Sequence, residues 1–132
     1  MVTLLVPVDI EQVLIDELSP NYAIASSLPA AIPAVFLRVI AAGGVQRDLV
    51  TDTFTVTLEA FAATETAARD ALMLAVAHLQ STQQLTGQLG GHPCGRLQIA
   101  SLPQNLPFPT VLTHKRYITT LVPDLRRQSI SL

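Results

Sequence analysis

The side chains with the clearest capacity for chemistry in this 132-residue chain are His78, His92, His114 and the single cysteine, Cys94. No second ligand lies at metal-binding spacing from any of these histidines, as it would in an HExxH helix. His92 and Cys94 lie close together in a loop of glycine and proline, which does not orient a base against a thiolate. We therefore expect structural roles for all four residues, with no metal, no cofactor and no catalytic thiol.

Two glycine pairs, Gly43-Gly44 and Gly90-Gly91, invite comparison with phosphate-binding loops. Neither pair belongs to a GxxxxGK[ST] or GxGxxG pattern, and no helix begins directly after either one. We interpret both pairs as turn glycines.

Three carboxylates, Asp48, Asp52 and Glu59, lie in or beside the clearest strand of the chain. A glycosidase-type pair would need a cleft that raises the pKa of one carboxylate and lowers that of the other. Asp48 and Asp52 instead bracket a loop, and Arg47 directly precedes Asp48. We expect these carboxylates to be solvated or paired with Arg47.

Arg38 is the most unusual charged residue because it interrupts an apolar run of valine, leucine and isoleucine. A guanidinium in such a place is costly unless it is paired or lies at an edge. It either pairs with Glu59 on the adjacent strand or reaches a neighbouring subunit. The other arginine feature, Arg126-Arg127, is interpreted as a solvated pair near the terminus, with docking to an acidic partner as the alternative.

The composition indicates one domain that buries apolar surface against other chains. Hydrophobic residues make up 49% and charged residues 14%, against roughly 25% charged residues in typical domains. The alternative is a monomer covered with serine, threonine, glutamine and alanine. The net charge of −2 argues against sequence-specific binding of nucleic acid, and a lone cysteine fits synthesis in a reducing compartment.

Neither a membrane span nor a signal peptide is expected. Pro33, Arg38 and Gly43-Gly44 interrupt the longest apolar stretches well short of about 18 residues. The start, Met1 to Val8, is apolar but lacks a basic region and meets Asp9 too early for a signal peptide.

Hydrophobic periodicity predicts two helices and four main strands. Asp9 is a plausible N-cap with Gln12 as its capping-box partner for a helix to Leu18, and Thr64 caps a longer helix that ends near Ser81-Thr82 and Gly87. Strands are expected at Val35–Ala42, Thr53–Ala60, Arg96–Leu102 and Arg116–Val122, with Tyr22–Ser26 able to form a short further strand. Loops are expected at Gly43–Val50, Gly87–Gly95 and Leu102–Pro109.

The predicted fold class is α+β, with a mainly antiparallel sheet of about four strands and two helices packed against it. All 132 residues form one domain, followed from about residue 123 by a flexible or extended C-terminal tail. The alternation in Thr53–Ala60 places Phe54, Val56 and Leu58 towards the core and the threonines and Glu59 away from it.

The chain resembles the tail terminator, or tail completion, proteins of long-tailed bacteriophages. The likeness lies in Val8–Leu18, the strand that ends at Gly43-Gly44, Thr53–Ala62 with its following helix, and Arg116–Thr119. Relatives often carry a tryptophan where this chain has Phe61. The Leu102–Pro109 segment departs from the pattern.

The resemblance implies a structural virion protein without enzymatic activity. It implies a hexameric ring, assembled in the bacterial cytoplasm, that caps the head-proximal end of the tail tube, ends tube polymerisation and joins the tail to the head. The implied partners are the tail tube protein and a head-side connector, with genomic DNA only passing through the lumen. Such a ring needs head-to-tail contacts whose rotation closes.

Subunit contacts are expected in the Gly43–Val50 loop and the Leu106–Pro109 segment, because both are long stretches between regular elements. The candidate interface residues are Arg38, Gly43, Gly44, Arg47, Asp48 and Phe108. One alternative function is another neck or connector protein with a different ring symmetry. A second alternative is a small-molecule-binding α+β module with a closed polar pocket.

Overall fold

The computed structural model describes residues 1–132, which form two helices and eight strands. The helices are α1 (Ile10–Leu18) and α2 (Glu65–Thr86). The strands are β1 (Thr3–Val6), β2 (Ile24–Ala25), β3 (Val35–Gln46), β4 (Thr51–Ala62), β5 (Gln88–Leu89), β6 (His92–Asn105), β7 (Lys115–Arg126) and β8 (Gln128–Ser131). Six strands form one sheet in the order β2-β3-β4-β7-β6-β5, and β1 pairs with β8 in a separate ribbon.

The prediction of a sheet of about four strands is wrong, since the main sheet has six strands and a second sheet has two. The strands that were not predicted are short: β5 has two residues, and β1 and β8 have four each. Segments of this length carry too little alternation to indicate a strand. β1 and β8 also depend on each other across the whole length of the chain.

Both helices begin at the predicted caps. Asp9 Oδ1 accepts a hydrogen bond from the Gln12 backbone N–H at 3.3 Å, and Thr64 Oγ1 accepts one from Ala67 at 3.1 Å. The Gln12 side chain donates to Asp16 instead of returning to the cap, so the expected capping box is only half formed. α2 continues past Ser81-Thr82 and ends at Gly87, whose φ of 67° suits glycine.

The core lies between the two helices and one face of the main sheet. The apolar stripe of α2 is buried as predicted, with Leu72 and Leu79 fully buried. Val56 and Leu58 of β4 lie in the same cluster, which confirms the predicted alternation of that strand. The other face of the sheet carries no helix.

The loop predicted for Gly43–Val50 is shorter than expected, because β3 continues through both glycines to Gln46. The register between β3 and β4 shifts between Ala41 and Gly44, which marks a β-bulge. Gly44 has a φ of +144°, and a Cβ there would lie 2.2 Å from the Thr53 carbonyl oxygen. Glycine is therefore required for the bulge rather than for a turn.

Strand boundaries in the C-terminal third also differ from the prediction. β6 runs through Pro103 to Asn105, so only the later part of the expected Leu102–Pro109 loop is irregular. Pro103 is tolerated because β5 pairs only with the first two residues of β6, which leaves an edge at this proline. β7 continues past Val122, and the tail expected from residue 123 consists of the end of β7 followed by β8.

Candidate interaction surfaces

The face of the main sheet that lies away from the helices, here called the open face, carries two clusters of charge. Register places Arg38, Glu59 and Ile118 side by side on this face, in β3, β4 and β7. At the other end of β4, Thr53 lies opposite Val45 and Asp124. Between these ends the face presents threonine and β-branched apolar side chains.

Glu59 is held between two arginines. Arg38 Nε donates to Glu59 Oε1 at 2.5 Å, and Arg116 Nη1 donates to Glu59 Oε2 at 2.6 Å. Glu59 is 1% exposed, so its charge depends on both guanidinium partners. The expected intrachain pair of Arg38 is confirmed, whereas the role of Arg116 was not foreseen.

Phe108 covers this cluster from the connection between β6 and β7. Its ring centroid lies 4.7 Å from Arg116 Cζ, 5.4 Å from Arg38 Cζ and 6.0 Å from the ring of Phe61. Arg116 Nε also donates to the Leu106 carbonyl oxygen at 2.8 Å, which fixes the start of the same connection. Phe108 therefore packs on its own subunit while its neighbours in the connection stay exposed.

The bulge at Gly43 and Gly44 lies at the outer edge of β3. Glu11 of α1 accepts a hydrogen bond from the Ala41 backbone N–H at 2.8 Å, next to the bulge. Both glycines line an open crevice of about 370 Å³, together with the segment that joins β1 to α1 and the start of α1. The two candidate glycines thus shape an edge that a neighbouring molecule can reach.

The turn between β3 and β4 is held by Asp48, whose Oδ1 accepts hydrogen bonds from the Val50 and Thr51 backbone N–H groups, each at 2.8 Å. Arg47 does not pair with Asp48. Its Nη1 donates to Asp124 Oδ2 at 2.9 Å, and Asp124 also accepts a hydrogen bond from Thr53 at 2.6 Å. Arg47 and Asp48 therefore stabilise the protruding hairpin from two sides.

Arg127 was expected to be solvated and is instead an anchor. Its guanidinium makes a bidentate pair with Asp52, with Nη2–Oδ1 at 2.9 Å and Nε–Oδ2 at 3.0 Å. Hydrogen bonding to Asp52 raises the pKa of Arg127 above its ordinary value. Its backbone N–H donates to the Val50 carbonyl oxygen at 2.7 Å. Arg126 is exposed, as expected.

Large apolar side chains are exposed around these candidate residues. At the hairpin tip, Val45 is 67% exposed and Leu49 is 79% exposed. In the Phe108 connection, Leu112 is 93% exposed. Leu106, within the predicted Leu106–Pro109 segment, is 40% exposed, whereas Leu112 lies beyond that segment. Both segments predicted to form subunit contacts therefore carry apolar surface that the monomer does not cover.

Two of the three histidines, His78 and His114, and the thiol of Cys94 have hydrogen-bond partners, whereas His92 begins β6 and is half-buried. His78 Nε2 lies 3.2 Å from Glu17 Oε2, and His114 Nε2 lies 2.8 Å from the Pro33 carbonyl oxygen. Burial raises the pKa of the Cys94 thiol to about 11, which disfavours the thiolate needed for nucleophilic attack.

No group of three histidine, cysteine, aspartate or glutamate side chains is placed to hold a metal ion. No helix combines the length and apolar content that crossing a membrane requires.

No protein-family model matches the chain, and no curated protein is significantly similar to it.

Proposed function

We propose that this protein is a non-enzymatic tail terminator, which assembles into a hexameric ring at the head-proximal end of a bacteriophage tail tube. The resemblance of Val8–Leu18 and Thr53–Ala62 to that family supports this class of protein. The ring ends polymerisation of the tube, binds the tail tube protein on one side and a head-side connector on the other. DNA passes through its lumen.

The observation that carries the assembly role is the apolar tip of the β3–β4 hairpin. Val45 and Leu49 are both more than two-thirds exposed, yet Asp48 and Arg47 hold the hairpin in a defined shape. A fixed and exposed apolar projection is typical of a surface that another protein covers. The hairpin is thereby preorganised for binding, which lowers the entropy lost on association.

Electron microscopy of the purified protein, alone and bound to tail tubes, tests the ring directly. We expect closed rings with sixfold symmetry, and Leu49→Asp should reduce their number at equal protein concentration. The matched control is Leu85→Asp, because Leu85 is similarly exposed at 83% but lies at the end of α2. If Leu49→Asp leaves the number of rings unchanged, the hairpin tip is not part of the interface.

Ring symmetry separates this proposal from its nearest alternative. A closed ring of another symmetry, bound to heads rather than to tubes, would identify a head-completion or connector protein. A stable monomer or dimer that does not bind tail tubes would contradict both ring-forming functions.

A further inference from the structure

The ribbon formed by β1 and β8 has one apolar face that the rest of the domain does not cover. Leu4 lies opposite Ile130, and Val2 exchanges backbone hydrogen bonds with Leu132. These four side chains are on the same face because alternate residues of a strand point the same way. Each of the four is at least 42% exposed. Thr3, Ser129 and Ser131 lie on the opposite face together with Leu5.

Such a ribbon is poorly stabilised on its own. Two short strands without a packed face are marginally stable in water. The Asp52–Arg127 pair fixes the base of the ribbon just beyond the end of β7. This anchor positions the ribbon but leaves its apolar face without a partner in the same subunit.

The open face of the main sheet provides a matching surface. A strip between the two charge clusters consists of half-buried, uncharged side chains: Ile40, Thr55, Thr57, Ile118, Thr120 and Val122. None of its three apolar residues belongs to the hydrophobic core or packs against it. The strip is therefore a sheet surface without a covering layer.

The dimensions of the two surfaces agree. Along β7 the strip extends from Ile118 to Val122, which corresponds to about 13 Å at the rise of a strand. The apolar face of the ribbon extends from Val2 to Val6, or about 13 Å. The ribbon is two strands wide, and the strip crosses β3, β4 and β7. Two sheets of this kind can pack face to face, as they do in β-sandwiches.

We propose that the β1–β8 ribbon of one subunit packs its apolar face on the open-face strip of a second copy of this chain. Neither the strip nor the strands of the ribbon contain a charged side chain, so the contact buries no unpaired charge. The donor ribbon and the acceptor strip are different surfaces of one chain. The contact is therefore head-to-tail and can propagate into a ring. This inference rests on the proposed function and names a second contact within the ring, in addition to that of the hairpin tip.

Cross-linking between two cysteine variants tests the pairing. Leu4→Cys places a thiol on the apolar face of the ribbon, and Thr57→Cys places one in the strip. The native Cys94 is fully buried and does not compete. A short bis-maleimide reagent should link the two variants when they are mixed, whereas Thr3→Cys, on the opposite ribbon face, should give several-fold less product with Thr57→Cys.

Each other outcome of this experiment contradicts the proposed contact. Cross-links that form as well with Leu4→Cys alone would show that ribbons pair with each other. Absence of the mixed product in assembled protein would show that something else covers the strip.

A second experiment compares assembly of two ribbon variants. Leu4→Asp should reduce assembly at least several-fold while Thr3→Asp does not. If wild-type rings form and Leu4→Asp leaves them intact, the ribbon contact is wrong and the proposed function stands. A wild-type protein that forms no ring, even on tail tubes, contradicts the function itself.

Discussion

Arg38 Nε donates to Glu59 Oε1 across 2.5 Å, at directly paired positions of β3 and β4. This pair, completed by Arg116, places a fully buried carboxylate on the sheet face that carries no helix. The cluster closes one end of the uncharged strip and supports Phe108 above it. The same residues thus stabilise the subunit and delimit the surface proposed for its neighbour.

Removing Glu59 should destabilise the protein strongly. Glu59→Ala leaves the Arg38 and Arg116 guanidiniums without their shared carboxylate, and breaking a buried pair lowers the free energy of unfolding by about 3–5 kcal/mol. The control is Asp70→Ala, which breaks the exposed pair of Asp70 with Arg69 and should change stability by about 0.5 kcal/mol. Urea denaturation measures both. Equal effects of the two substitutions would show that the cluster does not stabilise the fold.

Gly44 should tolerate no side chain. Gly44→Ala adds a Cβ that would meet the Thr53 carbonyl oxygen at 2.2 Å, and it forces alanine to a φ of +144°. A strained residue of this kind destabilises by about 1–3 kcal/mol. Gly95→Ala is the matched control, since Gly95 has open space around it and no positive φ. Thermal unfolding that is equally unaffected by both substitutions would contradict the bulge geometry.

Arg127 should govern the order of the ribbon. Arg127→Ala removes the bidentate bond to Asp52, and we expect amide hydrogens of β1 and β8 to exchange at least several-fold faster. Arg126→Ala changes an exposed neighbour and should leave that exchange as it is. Hydrogen exchange read by mass spectrometry distinguishes them. If the amide hydrogens of β1 and β8 exchange at the same rate in Arg127→Ala as in wild type, another contact anchors the ribbon.

The buried thiol of Cys94 should make the folded protein less stable at alkaline pH. Desolvation by burial raises the pKa of the thiol from 9.0 to about 11. The folded state therefore holds this proton more tightly, so the stabilisation is complete below pH 9.0 and is lost as the pH rises towards 11. The melting temperature should fall more steeply over this range in wild type than in Cys94→Ala. Melting temperatures that fall equally with pH in wild type and Cys94→Ala would contradict the raised pKa of the Cys94 thiol.

Local patterns in the sequence were sufficient for the longer elements. The caps at Asp9 and Thr64 mark both helix starts, and strict alternation identifies β4 together with its core-facing Leu58. These signals come from residues a few positions apart, where helical and strand periodicity are directly visible.

Long-range pairing explains what could not be predicted. Arg116 reaches Glu59 from 57 positions away, and β1 finds β8 from the opposite end of the chain. A glycine pair such as Gly43-Gly44 suits a loop and a bulge equally, and only the partner strand decides between them. The threonines of the open face fit a solvated strand as well as a contact surface, so the sequence alone does not distinguish the two.

The most direct test of the central claim is the length of tail tubes grown with and without this protein. Tail tube protein of the same phage, polymerised in the presence of the wild-type chain, should give tubes of restricted length that carry a ring at one end and join to heads. Leu49→Asp should give longer tubes that join poorly. Tubes whose length distribution and joining to heads are the same with and without the protein would contradict the proposed function.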